Sequence, residues 1–299
     1  MKIQGVMPPI PTPFDPATDE VDYEALRFNV DRWMKTGLAG IVVLGTNGEA
    51  GLIDEDESER IVAAARERIP RDRLLVAGTG RESTRGAVAA ARRAGKAGAD
   101  VVLVRTPSFF KGQMTPDAFV RHYMAVADAS PVPVLLYNFM AATGVNLLPA
   151  TVARLAEHPN IIGVKESGGD MAQVADLVSL TPDDFSVLVG AAPTLYASLC
   201  LGASGGIVAA ACVIPEECVR LYELTGAGRH AEALALQRQI TPLARSVTSG
   251  FGVPGLKAAL NLAGYRTGAP RPPLQPAPAA AIETLRQQLG AFQEVALSS

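Results

Sequence analysis

The chain has 299 residues, with 27 Lys plus Arg against 30 Asp plus Glu, and a formal net charge of −3. Its 48% hydrophobic content suits a packed core and excludes an intrinsically disordered chain. The mildly acidic balance supplies no basic field for nucleic acid, and no apolar run approaches the roughly 20 residues that span a bilayer.

The N-terminal segment, Met1 to Phe14, lacks an apolar signal core and a small-residue cleavage site, so it does not read as a signal peptide. The expected compartment is a reducing cytoplasm. Cys200, Cys212 and Cys218 are odd in number and read as buried small hydrophobes rather than a disulfide framework. His122, His158 and His230 lack the spacing of a metal site.

Short Val- and Ile-rich runs alternate with longer amphipathic ones. The short runs read as buried parallel strands. The first is Gly5–Ile10, followed by a helix over Tyr23–Lys35 opened by Asp22. Gly40–Leu44 is next, then a helix begun by Asp54 with its acids in the first turn, where the helix dipole favours them. Strand Leu74–Gly78 precedes helix Ser83–Lys96, and strand Val101–Val104 precedes helix Thr115–Ala129. Strand Val134–Tyr137 precedes helix Pro149–Glu157, and strand Ile161–Lys165 precedes helix Asp170–Leu180. Strands Ser186–Gly190 and Gly205–Val208 pair with helices Pro193–Leu201 and Pro215–Thr225.

Eight such units predict an α/β fold, a closed (β/α)8 TIM barrel over residues 1–226. An open doubly wound sheet would carry a Gly-rich fingerprint after its first strand, and Pro8 to Pro13 is nothing like one. Residues 227–299 predict a C-terminal appendage of three helices, Arg229–Ser246, Val253–Ala263 and Ala279–Val295. The Pro-rich stretch 269–278 between the last two reads as a tight connection.

Active sites of such barrels lie at the C-terminal ends of the strands. That rule draws attention to Lys165, one of only six lysines, which closes an apolar strand. Desolvation disfavours a buried ammonium, and the neutral amine is the form that attacks a ketone carbon to make an imine. Pairing with Glu166 is the plainer reading, but strand alternation points that carboxylate to the opposite side. Tyr137 closes the neighbouring strand, as a packing residue or as a proton shuttle beside the imine. Gly45-Thr46-Asn47-Gly48-Glu49 reads as an ordinary strand–helix turn or as a nest of backbone amides suited to a carboxylate.

Together these residues resemble the N-acetylneuraminate lyase and dihydrodipicolinate synthase family of pyruvate-dependent class I aldolases. The resemblance rests on Gly45-Thr46-Asn47-Gly48-Glu49, Tyr137-Asn138 and Lys165-Glu166, in order at three strand ends, and it runs along nearly the whole chain. It implies an imine between Lys165 and a 2-oxo acid, and proton relay by Tyr137 with Thr46. It further implies carboxylate binding by Thr46, Asn47 and Gly48, and a pyruvyl unit lying against Ile207. No metal or organic cofactor is implied. The partners implied are a small 2-oxo acid and further copies of the chain in a homotetramer or dimer, with no nucleic acid and no membrane.

Two positions depart from the dihydrodipicolinate synthases. The segment after the fourth strand carries Phe109 where those enzymes have a relay tyrosine, and the loop after the fifth carries Ala142 where they have a carboxylate-binding arginine. Segments 158–163, 165–170, 251–257 and 271–274 look more like the 4-hydroxy-2-oxoglutarate aldolase branch, in which Ser167 would help position substrate. A serine that starts a helix is the alternative. The expected activity is therefore cleavage of a 4-hydroxy-2-oxo acid, such as 4-hydroxy-2-oxoglutarate, to pyruvate and an aldehyde. The alternatives are 4-hydroxy-tetrahydrodipicolinate synthase, a sugar-acid dehydratase using the same imine, and a non-catalytic pyruvate-binding protein.

Overall fold

The computed structural model describes residues 1–298, with side chains through residue 292. Ser299, the last residue of the expected appendage, lies outside the described residues. The eight strands are β1 (Gly5–Met7), β2 (Gly40–Val43), β3 (Leu74–Gly78) and β4 (Val101–Arg105), then β5 (Val134–Asn138), β6 (Ile161–Glu166), β7 (Ser186–Val189) and β8 (Gly205–Ile207). They pair in parallel in the order β1-β8-β7-β6-β5-β4-β3-β2.

The sheet closes just beyond β1. Pro8 and Pro9 have no N–H to give a regular ladder, so β1 stops at Met7 rather than running to Ile10 as its apolar pattern predicts. The chain still lies against β2. Val42 donates its amide to the Pro8 carbonyl at 3.0 Å, and Ile10 donates to the Val42 carbonyl at 2.9 Å. A TIM barrel results.

Inward-facing side chains, among them Met7, Val42, Val76, Leu103, Leu135, Leu188 and Ile207, fill the barrel. A second, larger core fills the space between sheet and helices. Helix starts follow the expected caps. The Asp22 carboxylate accepts the Ala25 amide at 2.9 Å, and Asp54 and Glu57 form a reciprocal capping box.

After the eighth barrel helix, Pro215–Gly226, the tail forms helices His230–Arg245, Gly252–Leu262 and Ala279–Ser298. A π-helical turn, Ser246–Gly250, joins the first two and was not legible in the apolar pattern. Among the described residues no helix is long and apolar enough to cross a membrane. Cys212 and Cys218 are buried, but Cys200 is exposed, which corrects the uniform reading of the three cysteines. Cys200 ends a short helix on its outer face, so its apolar neighbours in sequence are not its neighbours in space.

Candidate active site

Lys165 and Tyr137 are register partners on β6 and β5. The Lys165 side chain is 4% exposed. Its Nζ sits 4.4 Å from the centroid of the Tyr137 ring and, among the described residues, makes no ion pair and no hydrogen bond. The carboxylate next to it is spoken for on the other face of the strand. Glu166 accepts from Asn138 Nδ2 and Gln173 Nε2, each at 2.7 Å, and from the Gly168 amide. Asn138 in turn accepts the Leu147 amide at 2.9 Å. The polar network behind the sheet therefore fixes the ends of β5 and β6 while leaving Lys165 without a counter-ion. The Lys165–Glu166 pair is not formed.

Lys165 faces a cavity of about 420 Å³ whose wall includes Thr46, Asn47, Tyr137, Ser167 and Ile207. Gly190 makes room for it. A Cβ at that position would lie 1.9 Å from Ser167 Oγ and 3.2 Å from Lys165 Cε, so only glycine fits beside them. The π-helical turn supplies Val247, Thr248 and Ser249 to the same wall.

On the opposite side stands the loop after β2. Thr46 Oγ1 and the Tyr137 hydroxyl are 3.1 Å apart, within hydrogen-bonding distance. The amides of Thr46 and Asn47 donate to no protein group among the described residues, so they are open to an oxyanion. The Gly48 amide is not open. It donates to the Gly45 carbonyl at 3.1 Å, and Gly48 does not line the Lys165 cavity. Gly48, expected to bind substrate, is placed inside the turn with its amide already engaged.

The loop is held under backbone strain. Leu44 and Glu49, which bracket it, both take left-handed φ values of 56°. The anchors for this geometry come from the tail. Lys257 Nζ contacts Glu49 Oε1 at 2.6 Å, and the two side chains are 1% and 0% exposed. The Lys257 ammonium also donates to the Ala269 carbonyl at 2.9 Å, and it lies 4.2 Å from the Phe14 ring centroid. Arg271 donates its amide to Glu49 Oε2 at 2.8 Å and its guanidinium to the Leu52 carbonyl and, bidentately, to Glu57. The Pro-rich connection is thus a strap over the turn after β2.

Burial pushes the Lys257 ammonium down, against the attraction of Glu49, to a pKa of about 8. In the sequence only the place of Lys257 in the segment 251–257 drew notice, and that signal says nothing of a buried partner in the loop after β2.

A lone buried amine, a phenol and a hydroxyl in line, and two free amides form a set that can capture a carbonyl and hold a carboxylate. The dihydrodipicolinate synthetase family profile matches residues 2–292 of this chain. The chain belongs to that family. A 4-hydroxy-tetrahydrodipicolinate synthase from Exiguobacterium is 34% identical over 97% of this chain and 98% of its own length. The dihydrodipicolinate synthase of Thermotoga maritima superposes with a TM-score of 0.93 at 32% identity, covering 98% of this chain and 99% of that one. YagE, an E. coli prophage protein of the dihydrodipicolinic acid synthase family crystallised with pyruvate, gives a TM-score of 0.91 at 28% identity, covering 97% and 99%.

Dihydrodipicolinate synthetase family members are class I pyruvate-dependent lyases that work through a Schiff-base lysine, and this chain is an enzyme of that class. Thr46, Asn47, Tyr137, Lys165, Ser167 and Ile207 all line one cavity. Phe109 and Ala142 lie elsewhere. Phe109 is exposed, and Ala142 lines a second, adjoining cavity. Among the described residues no group of three or more His, Cys, Asp or Glu could hold a metal ion.

Proposed function

We propose that Lys165 forms an imine with pyruvate and that the protein uses it to make or break the carbon–carbon bond between the pyruvyl methyl carbon and an aldehyde. The observation that carries this is the buried Lys165 amine, unpaired among the described residues and 4.4 Å from the Tyr137 ring, with Tyr137 within reach of Thr46. Lys165 Nζ bonds to C2 of the 2-oxo acid, and the carbonyl oxygen leaves as water. Tyr137 supplies and removes the protons of that exchange, with Thr46 as its partner. The Thr46 and Asn47 amides hold the C1 carboxylate, and Ile207 packs against the pyruvyl unit.

In the cleavage direction, the C3–C4 electron pair flows into the imine as an enamine. The C4 hydroxyl gives up its proton to become an aldehyde. Reprotonation at C3 and addition of water then release pyruvate. Condensation is the same path reversed. The residues assigned here require no metal or organic cofactor for these steps.

Two readings differ in the aldehyde. The names of the curated relatives support 4-hydroxy-tetrahydrodipicolinate synthase, in which pyruvate condenses with aspartate semialdehyde. They favour it over the 4-hydroxy-2-oxoglutarate cleavage expected from the sequence. Two observations favour the cleavage reading. Phe109 brings no hydroxyl, and the β5 loop presents Ala142 where a cation would bind the semialdehyde carboxylate. A coupled assay with pyruvate and aspartate semialdehyde decides. Turnover there supports the synthase. Release of pyruvate from 4-hydroxy-2-oxoglutarate, without turnover of the semialdehyde, supports cleavage, and dehydration of a sugar acid without free pyruvate would replace both.

A dimer or tetramer remains part of the proposal. Its supporting feature is the exposed edge-to-face pair Phe109 and Phe110, with ring centroids 5.1 Å apart. Sedimentation velocity on the wild type and Phe110→Ser tests it: a monomeric wild type would remove this part.

A further inference from the structure

A second cavity, of about 530 Å³, adjoins the Lys165 cavity and shares Thr46, Tyr137 and Val253 with it. We propose that this cavity holds the far end of the substrate, that this end is a carboxylate, and that Arg105 is the residue that selects it. The proposal rests on the imine reading above and deepens it.

Strand register places Arg105. It is the last residue of β4 and pairs with Tyr137, which pairs with Lys165. Three side chains therefore lie in one row across adjacent strands. Arg105 follows the inward-facing Leu103 by two residues, so alternation turns it toward the barrel mouth. With neighbouring strands about 4.8 Å apart, the Arg105 and Lys165 backbones are about 10 Å apart, with Tyr137 between. A five-carbon 2-oxo acid bonded to Lys165 through its second carbon extends past the Tyr137 hydroxyl toward the guanidinium. The stem of Arg105 is steered there by Gly80, where a Cβ would come within 2.4 Å of Arg105 Cγ.

The cavity holds a second arginine, and the hydrogen bonds tell them apart. Arg81 is used up: Nε and Nη2 donate to Glu55 at 2.9 and 3.1 Å, and Nη1 to the Gly80 carbonyl. Arg105 donates only through Nη1, to Glu82 at 2.8 Å and to the Thr106 carbonyl at 3.2 Å. Its Nε and Nη2 have no partner among the described residues, and its side chain is 37% exposed. A guanidinium held at one corner, with two donors free, is prepared for a carboxylate. The rest of the wall near it, Leu52, Leu103, Ala142, Val253 and Leu274, offers no other cation.

The test compares two ligands of equal chain length, 2-oxoglutarate and 2-oxopentanoate, by borohydride trapping read as intact mass. Only the first carries the far carboxylate. The wild type should trap 2-oxoglutarate at a half-saturating concentration at least about tenfold lower, and Arg105→Gln should erase that preference. Arg105→Lys should keep part of it, and Glu82→Gln, which removes the competing negative charge, should enlarge it. A wild type without preference, or a preference unchanged in Arg105→Gln with an unaltered melting temperature, overturns the proposal. Absence of any pyruvate adduct on the wild type would be a different failure, that of the imine reading, and would take this one with it.

Discussion

Lys165 and Lys257 are both sealed from solvent, at 4% and 1% exposure, and both sit within a few ångströms of an aromatic ring. Their polar surroundings are opposite. Lys257 meets a buried carboxylate at 2.6 Å and a carbonyl at 2.9 Å. Lys165 meets neither, although Glu166 is its neighbour in sequence, because the strand sends the two side chains to opposite faces. A buried lysine with its counter-ion is a fastener. A buried lysine without one, facing a cavity, is available for chemistry. The two are linked in space as well. Lys257 fastens Glu49, Glu49 ends the turn carrying Thr46, and Thr46 meets the Tyr137 hydroxyl beside Lys165.

The comparison breaks most visibly if the roles are exchanged by mutation. Lys165→Ala should lower kcat/KM by at least about 10³-fold while leaving the melting temperature near the wild-type value, since no ion pair is lost. Steady-state kinetics and calorimetry on one preparation check both halves. Lys257→Met should do the reverse. It leaves Glu49 buried and charged without its partner, which costs about 3–5 kcal/mol in chemical denaturation. Its KM for pyruvate should rise as the Thr46 turn loosens. Tyr137→Phe removes the relay hydroxyl but not the cavity, and should reduce kcat about 10²-fold while borohydride still traps pyruvate.

The smallest effect is a pH dependence. Folded Lys257 sheds its proton near pH 8, and the unfolded chain sheds it near the ordinary value of 10.5. Between these values the unfolded state binds more protons, so this group's contribution to stability rises with pH. Denaturation curves of wild type and Lys257→Met at pH 8 and pH 10.5 should show the wild type gaining on the variant. A wild type that loses ground over that interval would contradict the environment described for Lys257.

Most of the barrel was legible because its signals are local. Apolar runs of four to six residues mark strands, and Asp22 and Asp54 mark helix starts by their capping chemistry. Lys165 was legible for the same reason: one lysine at the end of a buried strand stands out. What escaped depends on residues far apart in sequence. Nothing near Lys257 announces Glu49, because the pair forms only when the tail packs beside the mouth of the barrel. The Gly48 amide is engaged inside its own turn, since a glycine in a tight loop serves the turn itself as readily as a ligand. β1 was overextended because Pro8 and Pro9 fit an apolar pattern but cannot donate to a ladder. Arg105 was hidden inside a helix-and-strand count that ended β4 at Val104, one residue early.

The most direct measurement is borohydride reduction with pyruvate, followed by peptide mapping of all six lysines. The structure predicts one reduced adduct, on Lys165, that disappears in Lys165→Ala and persists in Lys257→Met. An adduct on Lys257, or a wild-type protein that takes up no pyruvate, would contradict the assignment of chemistry to the unpaired lysine.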